Sequence, residues 1–193
     1  MLFQGQEFGA TTPFLYFCDH KADISKNVRE GRAKFLAQFP SLSLPEMQVV
    51  FSDPGNPHTF EISKLDFSER EKNSESYQLH KDLIALRRTD PVFSNPRYRS
   101  TDGAILAQDA LLLRYFSESH GDRLLVVNLG TDLYVSPSPE PLLAPPAGAA
   151  WRVIWSSENP KYGGHGTFPP GQDDNWRIPG NAAVAFTSEA ASE

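Results

Sequence analysis

From about residue 95 onward, the sequence consists of short β-rich runs with no helical pattern between them. Turn signals such as Thr101-Asp102-Gly103, His120-Gly121-Asp122 and Gly163-Gly164 separate the runs. Regularly spaced strands without intervening helices are typical of an antiparallel sandwich. We therefore predict a β-sandwich domain over residues 95–193. The predicted strands are Ala104–Gln108, Leu111–Phe116, Leu124–Leu129, Leu133–Val135, Trp151–Ser156 and Ala182–Thr187.

The N-terminal residues follow a different pattern. Met1–Phe3 is an apolar run that ends in the glycine-spaced segment Gly5–Gly9. Such a run predicts a buried strand that enters a loop. A strand with apolar residues on both faces belongs in a parallel sheet covered by helices. An aromatic loop, Thr12–His20, comes next.

Two helices are predicted before residue 94. The first begins with Asp23 as its N-cap and ends at Pro40, and the second spans Glu75–Arg88. Residues 40–74 between them form a long irregular stretch, and loops of that length are usually functional or held against a neighbour. The apolar face of the first helix is formed by Ile24, Val28, Phe35 and Phe39.

Composition limits the functional classes. With 39% hydrophobic residues the chain has enough apolar residues to form a core, so we expect a folded, soluble protein. The net charge of −6 and the lack of a long basic run make nucleic acid an unfavourable partner, and no run is long enough for a membrane span. The single cysteine, Cys18, is typical of a cytoplasmic protein. The scattered histidines predict neither a metal site nor a cofactor.

Five motifs occur in the same order as in a known family. The first is matched by Gly5, Glu7, Phe8 and Gly9, and the second, Pro-Phe-x-Tyr-Phe-x-Asp-His, by Pro13, Phe14, Tyr16, Phe17, Asp19 and His20. The third, Val-x-x-Gly-Arg, is matched by Val28, Gly31 and Arg32, and the fourth, Ser-Lys-Leu, by Ser63, Lys64 and Leu65. The fifth, Ser-Glu-x-Pro-x-Tyr-Gly-Gly, is matched by Ser157, Glu158, Pro160, Tyr162, Gly163 and Gly164. By these motifs the chain resembles the trehalohydrolase subgroup of the alpha-amylase superfamily of glycoside hydrolases. Gln6, Ile62 and Phe67 depart from the residues that are common in that subgroup.

The resemblance implies an α+β chain with two parts. Residues 1–94 would be the tail of an (α/β)8 barrel, with its eighth strand, a substrate loop and two helices, and residues 95–193 would be the C-terminal antiparallel β-sandwich. Barrel enzymes carry their sites at the C-terminal ends of the strands, and retaining glycosidases use two carboxyl groups there. By the resemblance these groups follow earlier strands and would precede Met1. We therefore expect no catalytic residue in this chain and no activity of the chain alone.

The resemblance also implies a substrate. The complete enzyme would hydrolyse the α-1,4 bond of malto-oligosyltrehalose and release trehalose, so its partner would be that sugar or another α-glucan. Six residues are predicted to bind it, the rings by stacking and the polar groups by hydrogen bonds. They are Glu7, Phe14, Tyr16, Phe17, Asp19 and His20.

Other interpretations of these residues remain open. The rings are equally consistent with packing at the rim of the barrel, Glu7 with an internal ion pair, and His20 with a structural hydrogen bond. The alternative function is a stand-alone carbohydrate-binding or structural β-sandwich module without hydrolase activity. Core packing is the favoured interpretation for Trp151, Trp155 and Trp176, since Trp151, Val153 and Trp155 alternate on one strand.

A barrel strand and helices without neighbours would expose apolar faces. The residues concerned are Leu2, Phe3, Val28 and Phe35. We expect local disorder, repacking onto the sandwich, or self-association that covers this surface.

Overall fold

The computed structural model describes residues 2–44, 53–94, 100–136, 139–167 and 176–191. The chain divides into two compact units, Met1–Asn73 and Ser74–Glu193. In the first unit the described elements are a 3₁₀ turn at Gln6–Phe8 and helices α1 (Ala22–Leu36), α2 (Pro57–Glu61) and α3 (Glu69–Lys72). In the second unit they are helix α4 (Ser74–Thr89), strands β1 (Thr101–Ala107), β2 (Ala110–Tyr115), β3 (Arg123–Asn128), β4 (Leu133–Val135), β5 (Ala149–Ser156), β6 (Trp176–Ile178) and β7 (Ala182–Ala190), and 3₁₀ turns at Pro141–Leu143 and Pro160–Tyr162.

The predicted strand at the N-terminus is not formed by Leu2 and Phe3. Both side chains are exposed, at 50% and 57%, and neither residue pairs with a described strand. Phe3 and Gln6 instead close a turn, in which the Phe3 N–H donates to the Gln6 side chain at 3.0 Å. A strand requires a neighbour for its backbone hydrogen bonds, and no described segment supplies one. Met1 lies outside the described residues.

The N-cap of helix α1 lies two residues before the predicted one. Lys21 occupies the N-cap position without a side-chain hydrogen bond, and Asp23 lies in the first turn. The prediction of Asp23 as N-cap is therefore wrong, although an acidic side chain in the first turn still interacts favourably with the helix dipole. Helix α1 buries no residue completely.

The β-rich part forms two antiparallel sheets. The larger sheet has the strand order β1-β2-β3-β7-β5, and β4 pairs with β6 in a two-stranded sheet. One core cluster includes side chains from both sheets, so the sheets pack on each other as in a sandwich. The core residues are Leu112, Leu124, Val126, Leu143, Trp151, Trp176, Ile178, Val184 and Phe186.

Two details of the sheets differ from the sequence prediction. Thr101-Asp102-Gly103, predicted as a turn, forms the start of β1, where Asp102 lies opposite Arg114. Strand β6 was not predicted, because the apolar–polar–apolar alternation of Trp176, Arg177 and Ile178 covers only three residues, fewer than the four to eight that mark a strand in a sequence. Its Trp176 ring lies against the Phe186 ring, with 5.5 Å between centroids.

A β-bulge in β5 changes the direction of one tryptophan. Val153 lies opposite Phe186 and Trp155 lies opposite Ala185, with a register shift between them. Trp151 is 8% exposed in the core, whereas Trp155 lies on the outer face of the sheet. Core packing is confirmed for Trp151, but the prediction that Trp151 and Trp155 share a face is wrong.

Asn128 at the end of β3 joins the two sheets through polar contacts. It is 2% exposed, and its side-chain amide donates to the carbonyls of Thr131 at 2.7 Å and Pro179 at 3.0 Å. Its side-chain oxygen accepts from the Gly130 N–H at 3.0 Å. These bonds satisfy backbone groups where the chain leaves both sheets.

Among the described residues of the second unit, two ion pairs have side chains that are about 90% buried. The Arg114 guanidinium contacts Asp122 at 2.8 Å, and it also donates to the Ala144 carbonyl at 2.6 Å. Arg123 contacts Asp90 at 2.8 Å, and its Nη1 group donates to the His120 carbonyl and to the Thr187 hydroxyl. Removing one partner of such a pair costs about 3–5 kcal/mol because the other charge is left buried.

Helix α4 belongs to the same compact unit as the sheets. Asp90, just beyond its C-terminus, forms the ion pair with Arg123 in β3. The sequence predicts a domain boundary after residue 94, whereas the first compact unit ends at Asn73 and the second begins at Ser74. The assignment of residues 1–94 to a barrel stays a prediction.

The ion pair predicts a specific pH dependence of stability. Burial raises the pKa of Asp90, but hydrogen bonds from the Phe93 N–H and the Arg123 guanidinium outweigh it, so the folded-state pKa lies below the ordinary 3.8. The unfolded state then binds more protons than the folded state as the pH falls below about 4–5. We expect the free energy of unfolding to fall with pH in that range, measured by urea denaturation. Asp90→Asn should lower stability at neutral pH and flatten this slope; an unchanged slope would contradict the assignment.

Candidate functional site

The predicted substrate loop is held by hydrogen bonds to distant residues of the first unit. At its start, the backbone N–H of Thr11 donates to the Glu69 carboxylate at 3.1 Å. Near its centre, the Leu15 N–H donates to Ser63 Oγ at 3.2 Å. Near its end, the Cys18 N–H donates to the Pro54 carbonyl at 2.9 Å. The stretch from Asp53 to Lys72 therefore fixes the path of the loop.

Helix α2 places Ser63 beneath the loop. Asn56 caps this helix by accepting from the His58 N–H, and Pro57 occupies the first turn, where its missing N–H is not needed. One turn further on, the Ser63 hydroxyl donates to the Thr59 carbonyl at 2.8 Å, which leaves its oxygen free to accept from Leu15. Ser63 is 5% exposed. This serine of the Ser-Lys-Leu motif thus supports the loop.

The aromatic side chains form a row of edge-to-face contacts. The ring centroids of Phe3 and Phe14 are 5.1 Å apart, those of Phe14 and Phe17 6.1 Å, and those of Phe17 and Phe60 5.0 Å. Phe14 is 55% exposed, whereas Phe17 is half-buried between its neighbours. The row therefore holds Phe14 in a defined position and leaves about half of its surface accessible.

Tyr16 contacts Arg32 of helix α1 rather than the row of phenylalanines. The Arg32 guanidinium lies 4.6 Å from the centre of the Tyr16 ring, within cation–π distance. Tyr16 is 43% exposed. Arg32 belongs to the Val-x-x-Gly-Arg motif of helix α1, so two motifs that are separate in sequence meet here.

Of the three polar candidates, Glu7 lies in the turn before the loop, whereas Asp19 and His20 lie at the end of the loop. Glu7 lies in the 3₁₀ turn between Gly5 and Gly9, both with positive φ, and its carboxylate is 4.0 Å from the Arg70 guanidinium. Asp19 and His20 are exposed at the end of the loop. The His20 carbonyl accepts from the Ser25 hydroxyl at 3.2 Å. The loop thus presents rings together with polar side chains at its end.

Glu69 was not identified from the sequence. It is 7% exposed and accepts from both the N–H and the hydroxyl of Thr11. In the sequence it begins the charged run Glu69-Arg70-Glu71-Lys72, which is typical of a solvated helix. Nothing local distinguishes it, because its partner is 58 residues away.

The Ser-Glu-x-Pro-x-Tyr-Gly-Gly motif lies in the second unit and has a structural role there. Tyr162 donates to Asp82 of helix α4 at 2.5 Å, and Lys161 contacts the same carboxylate at 2.7 Å. The hydrogen bonds from Lys161 and Tyr162 lower the pKa of Asp82. A Cβ at Gly164 would lie 2.3 Å from the Glu158 backbone, so only glycine fits. The motif fastens its loop to helix α4.

Among residues whose placement the structure describes, no group of three His, Cys, Asp or Glu side chains is arranged to hold a metal ion. No helix in the same residues has the length and apolar character needed to cross a membrane.

Comparison with known proteins places the chain in a family. A model of a domain of unknown function, DUF3459, matches residues 99–173. Malto-oligosyltrehalose trehalohydrolase of Deinococcus radiodurans is 39% identical over 134 residues, which are 68% of this chain and 21% of that protein. The chain is related to the C-terminal part of malto-oligosyltrehalose trehalohydrolases. The trehalohydrolase of Mycobacterium tuberculosis strain H37Rv is 27% identical over 172 residues, 86% of this chain and 26% of that protein.

The chain thus spans about a fifth to a quarter of the length of these trehalohydrolases. Solved structures show the same fold at low identity. The trehalulose synthase MutB from Pseudomonas mesoacidophila MX-45 aligns with 97% of this chain and 35% of its own, at 12% identity and a TM-score of 0.52. An inactive double mutant of MutB in complex with isomaltulose gives a TM-score of 0.54 at 12% identity, with the same coverage. The trehalohydrolase relationship therefore rests on sequence, and these structures support the fold.

Support of the loop by Ser63 is testable by hydrogen exchange. Ser63→Ala removes the acceptor of the Leu15 N–H, and an unsatisfied, partly buried N–H costs about 1–3 kcal/mol. We expect faster exchange of the Leu15 amide, measured by NMR. Ser43→Ala removes an exposed hydroxyl of the same unit and should leave that exchange rate unchanged. Equal effects of both substitutions would contradict the role of Ser63.

Proposed function

We propose that this chain forms the C-terminal part of a glycoside hydrolase that releases trehalose from malto-oligosyltrehalose. The 39% identity to a trehalohydrolase over 68% of the chain is the observation that carries the proposal. Residues 1–94 then form the end of the catalytic barrel, and the antiparallel sheets form the domain that follows it. The family motifs that hold the loop, Ser63 and Arg32, support this assignment through their contacts with Leu15 and Tyr16.

In this proposal the loop binds sugar and other parts of the protein supply the chemistry. Glycoside hydrolysis with retention needs two carboxyl groups about 5–5.5 Å apart, one as nucleophile and one as acid and base. In the loop, Asp19 is an exposed carboxylate next to the exposed His20. We assign Asp19 a role in hydrogen bonding to sugar rather than one as nucleophile or acid. We assign the catalytic carboxyl groups to a part of the enzyme outside this sequence.

The position of Phe14 suits stacking on a sugar ring. Its contacts with Phe3 and Phe17 fix the ring, so little side-chain entropy is lost on binding. Tyr16 offers a second exposed ring, with one side occupied by Arg32. Asp19 and His20 at the end of the loop are placed to bind hydroxyl groups, and Glu7 contacts Arg70 at the turn before it.

The proposal is tested with the purified chain and a malto-oligosyltrehalose. We expect no release of trehalose, measured by chromatography, and weak binding seen as NMR shifts of residues 14–20. Phe14→Ala should weaken binding about two- to tenfold, because one aromatic contact contributes about 0.5–1.5 kcal/mol. Phe39→Ala, which removes an exposed ring outside the loop, is the matched control.

Each outcome bears on a different part of the proposal. Release of trehalose by the chain would refute the assignment of the chemistry to another part of the protein. Glucan binding that is unaffected by Phe14→Ala and maps to the sheets would instead favour a stand-alone carbohydrate-binding module.

We also propose that this chain self-associates through apolar side chains of its first unit. Large apolar side chains are exposed there, among them Leu2 at 50%, Phe3 at 57% and Phe35 at 56%. Exposed apolar groups of this kind favour association because contact removes them from water. In a longer protein, neighbouring strands and helices of a barrel would cover the same side chains.

Sedimentation velocity at increasing protein concentration tests this expectation. The sedimentation coefficient should rise with concentration, and Phe35→Glu should reduce the rise. Asn27→Glu adds the same charge to an exposed position of helix α1 and is the control. A chain that stays monomeric at all concentrations would refute self-association.

A further inference from the structure

A cavity lies between helix α4 and the outer face of the five-stranded sheet. Its volume is about 200 Å³, and all of its lining residues belong to the second unit. The lining is formed by Leu83, Leu86, Arg87, Phe93, Tyr115, Leu125, Trp155 and Ala185. None of these residues belongs to the loop assigned above to sugar binding.

The register of the sheet explains why space remains there. Leu125 of β3 and Trp155 of β5 lie on either side of Ala185 in β7. Between these two larger side chains, Ala185 contributes only a methyl group, and it is 1% exposed. The bulge in β5 directs Trp155 to this face, where Ala185 leaves room beside its ring.

The walls suit an apolar group of limited size. Phe93 and Tyr115 meet edge to face with centroids 5.1 Å apart, and leucines from helix α4 close the opposite side. An apolar cavity of about 150 Å³ is large enough to bind benzene. The cavity here therefore has room for one six-membered ring with a small substituent.

Two polar groups accompany these walls. The Arg87 guanidinium donates to the Phe93 carbonyl, which fixes its position, and within the described part of the chain no carboxylate pairs with it. The nearest candidate in sequence, Asp90, is engaged by Arg123. The Tyr115 hydroxyl makes no hydrogen bond to any residue that the structure describes. A cation and a hydroxyl beside an apolar cavity complement a carboxylate with an apolar body.

We propose that this cavity binds a small aromatic monocarboxylate. Its ring lies among Leu86, Leu125 and Trp155, and its carboxylate accepts hydrogen bonds from Arg87 and Tyr115. The site is separate from the proposed sugar loop, and its occupation does not depend on glycoside hydrolysis.

The test uses the whole chain with benzoate and with benzyl alcohol, a neutral probe of similar size. The Trp155 indole N–H, assigned with Trp155→Phe, reports occupation by NMR. Benzoate should shift this signal with saturation, and benzyl alcohol should bind at least about tenfold more weakly, since it lacks the charge. No shift with either probe, or equal affinities, would overturn the proposal.

Two substitutions locate the site. Ala185→Leu fills the cavity and should abolish benzoate binding, whereas Ala183→Leu, on the same face of β7 but outside the lining, should preserve it. Arg87→Gln, at an exposed position, should weaken benzoate binding about tenfold and leave benzyl alcohol unaffected. Undiminished benzoate binding by Arg87→Gln would refute the role of the cation, even if Ala185→Leu fails to fold.

Discussion

The buried ion pair between Arg123 and Asp90 is the interaction on which the second unit depends most. It connects the residue that follows helix α4 with the middle of the five-stranded sheet. Because Asp90 also accepts from the N–H groups of Val92 and Phe93, the same carboxylate ends the helix and turns the chain. With 8% and 10% of the two side chains exposed, each charge requires the other as a partner, so the pair fixes the end of the helix on the sheet. The cavity beneath α4 follows from that position.

The first unit depends on a different type of interaction. Few of its side chains are buried completely, but Phe8 is fully buried and the Asn73 side chain donates to its carbonyl at 2.8 Å. Glu69 and Ser63 add hydrogen bonds to the loop over separations of 58 and 48 residues. Polar contacts with fixed geometry therefore determine the path of the aromatic loop more than apolar packing does.

Departures from the family pattern have local consequences. Gln6, where glutamate is common, uses its side-chain oxygen to accept from the Phe3 N–H and closes the first turn. The Phe67 ring lies 6.3 Å from the Phe8 ring and 4.5 Å from the Arg70 guanidinium. Both residues thus stabilise the turn that carries Glu7, and neither changes the aromatic loop itself. The relationship to trehalohydrolases and the proposed role of the loop are compatible with these differences.

The sequence by itself determined the elements whose signal is local. Helix α4 and strands β2, β3 and β4 lie within a residue or two of their predicted bounds, because periodicity and turn residues mark them within a few positions. The motif order likewise indicated the family. The candidate ring Phe14 and the polar group His20 could be named from the sequence, but not their surroundings.

Only the tertiary structure decided the rest. The face of Trp155 depends on a bulge opposite Ala185, the burial of Glu69 depends on Thr11, and the exposure of Leu2 depends on the lack of a neighbouring strand among the described residues. Each outcome is set by a partner distant in sequence. Residue patterns report local conformational preference, whereas burial and pairing depend on which distant groups meet, and hence on the folded chain.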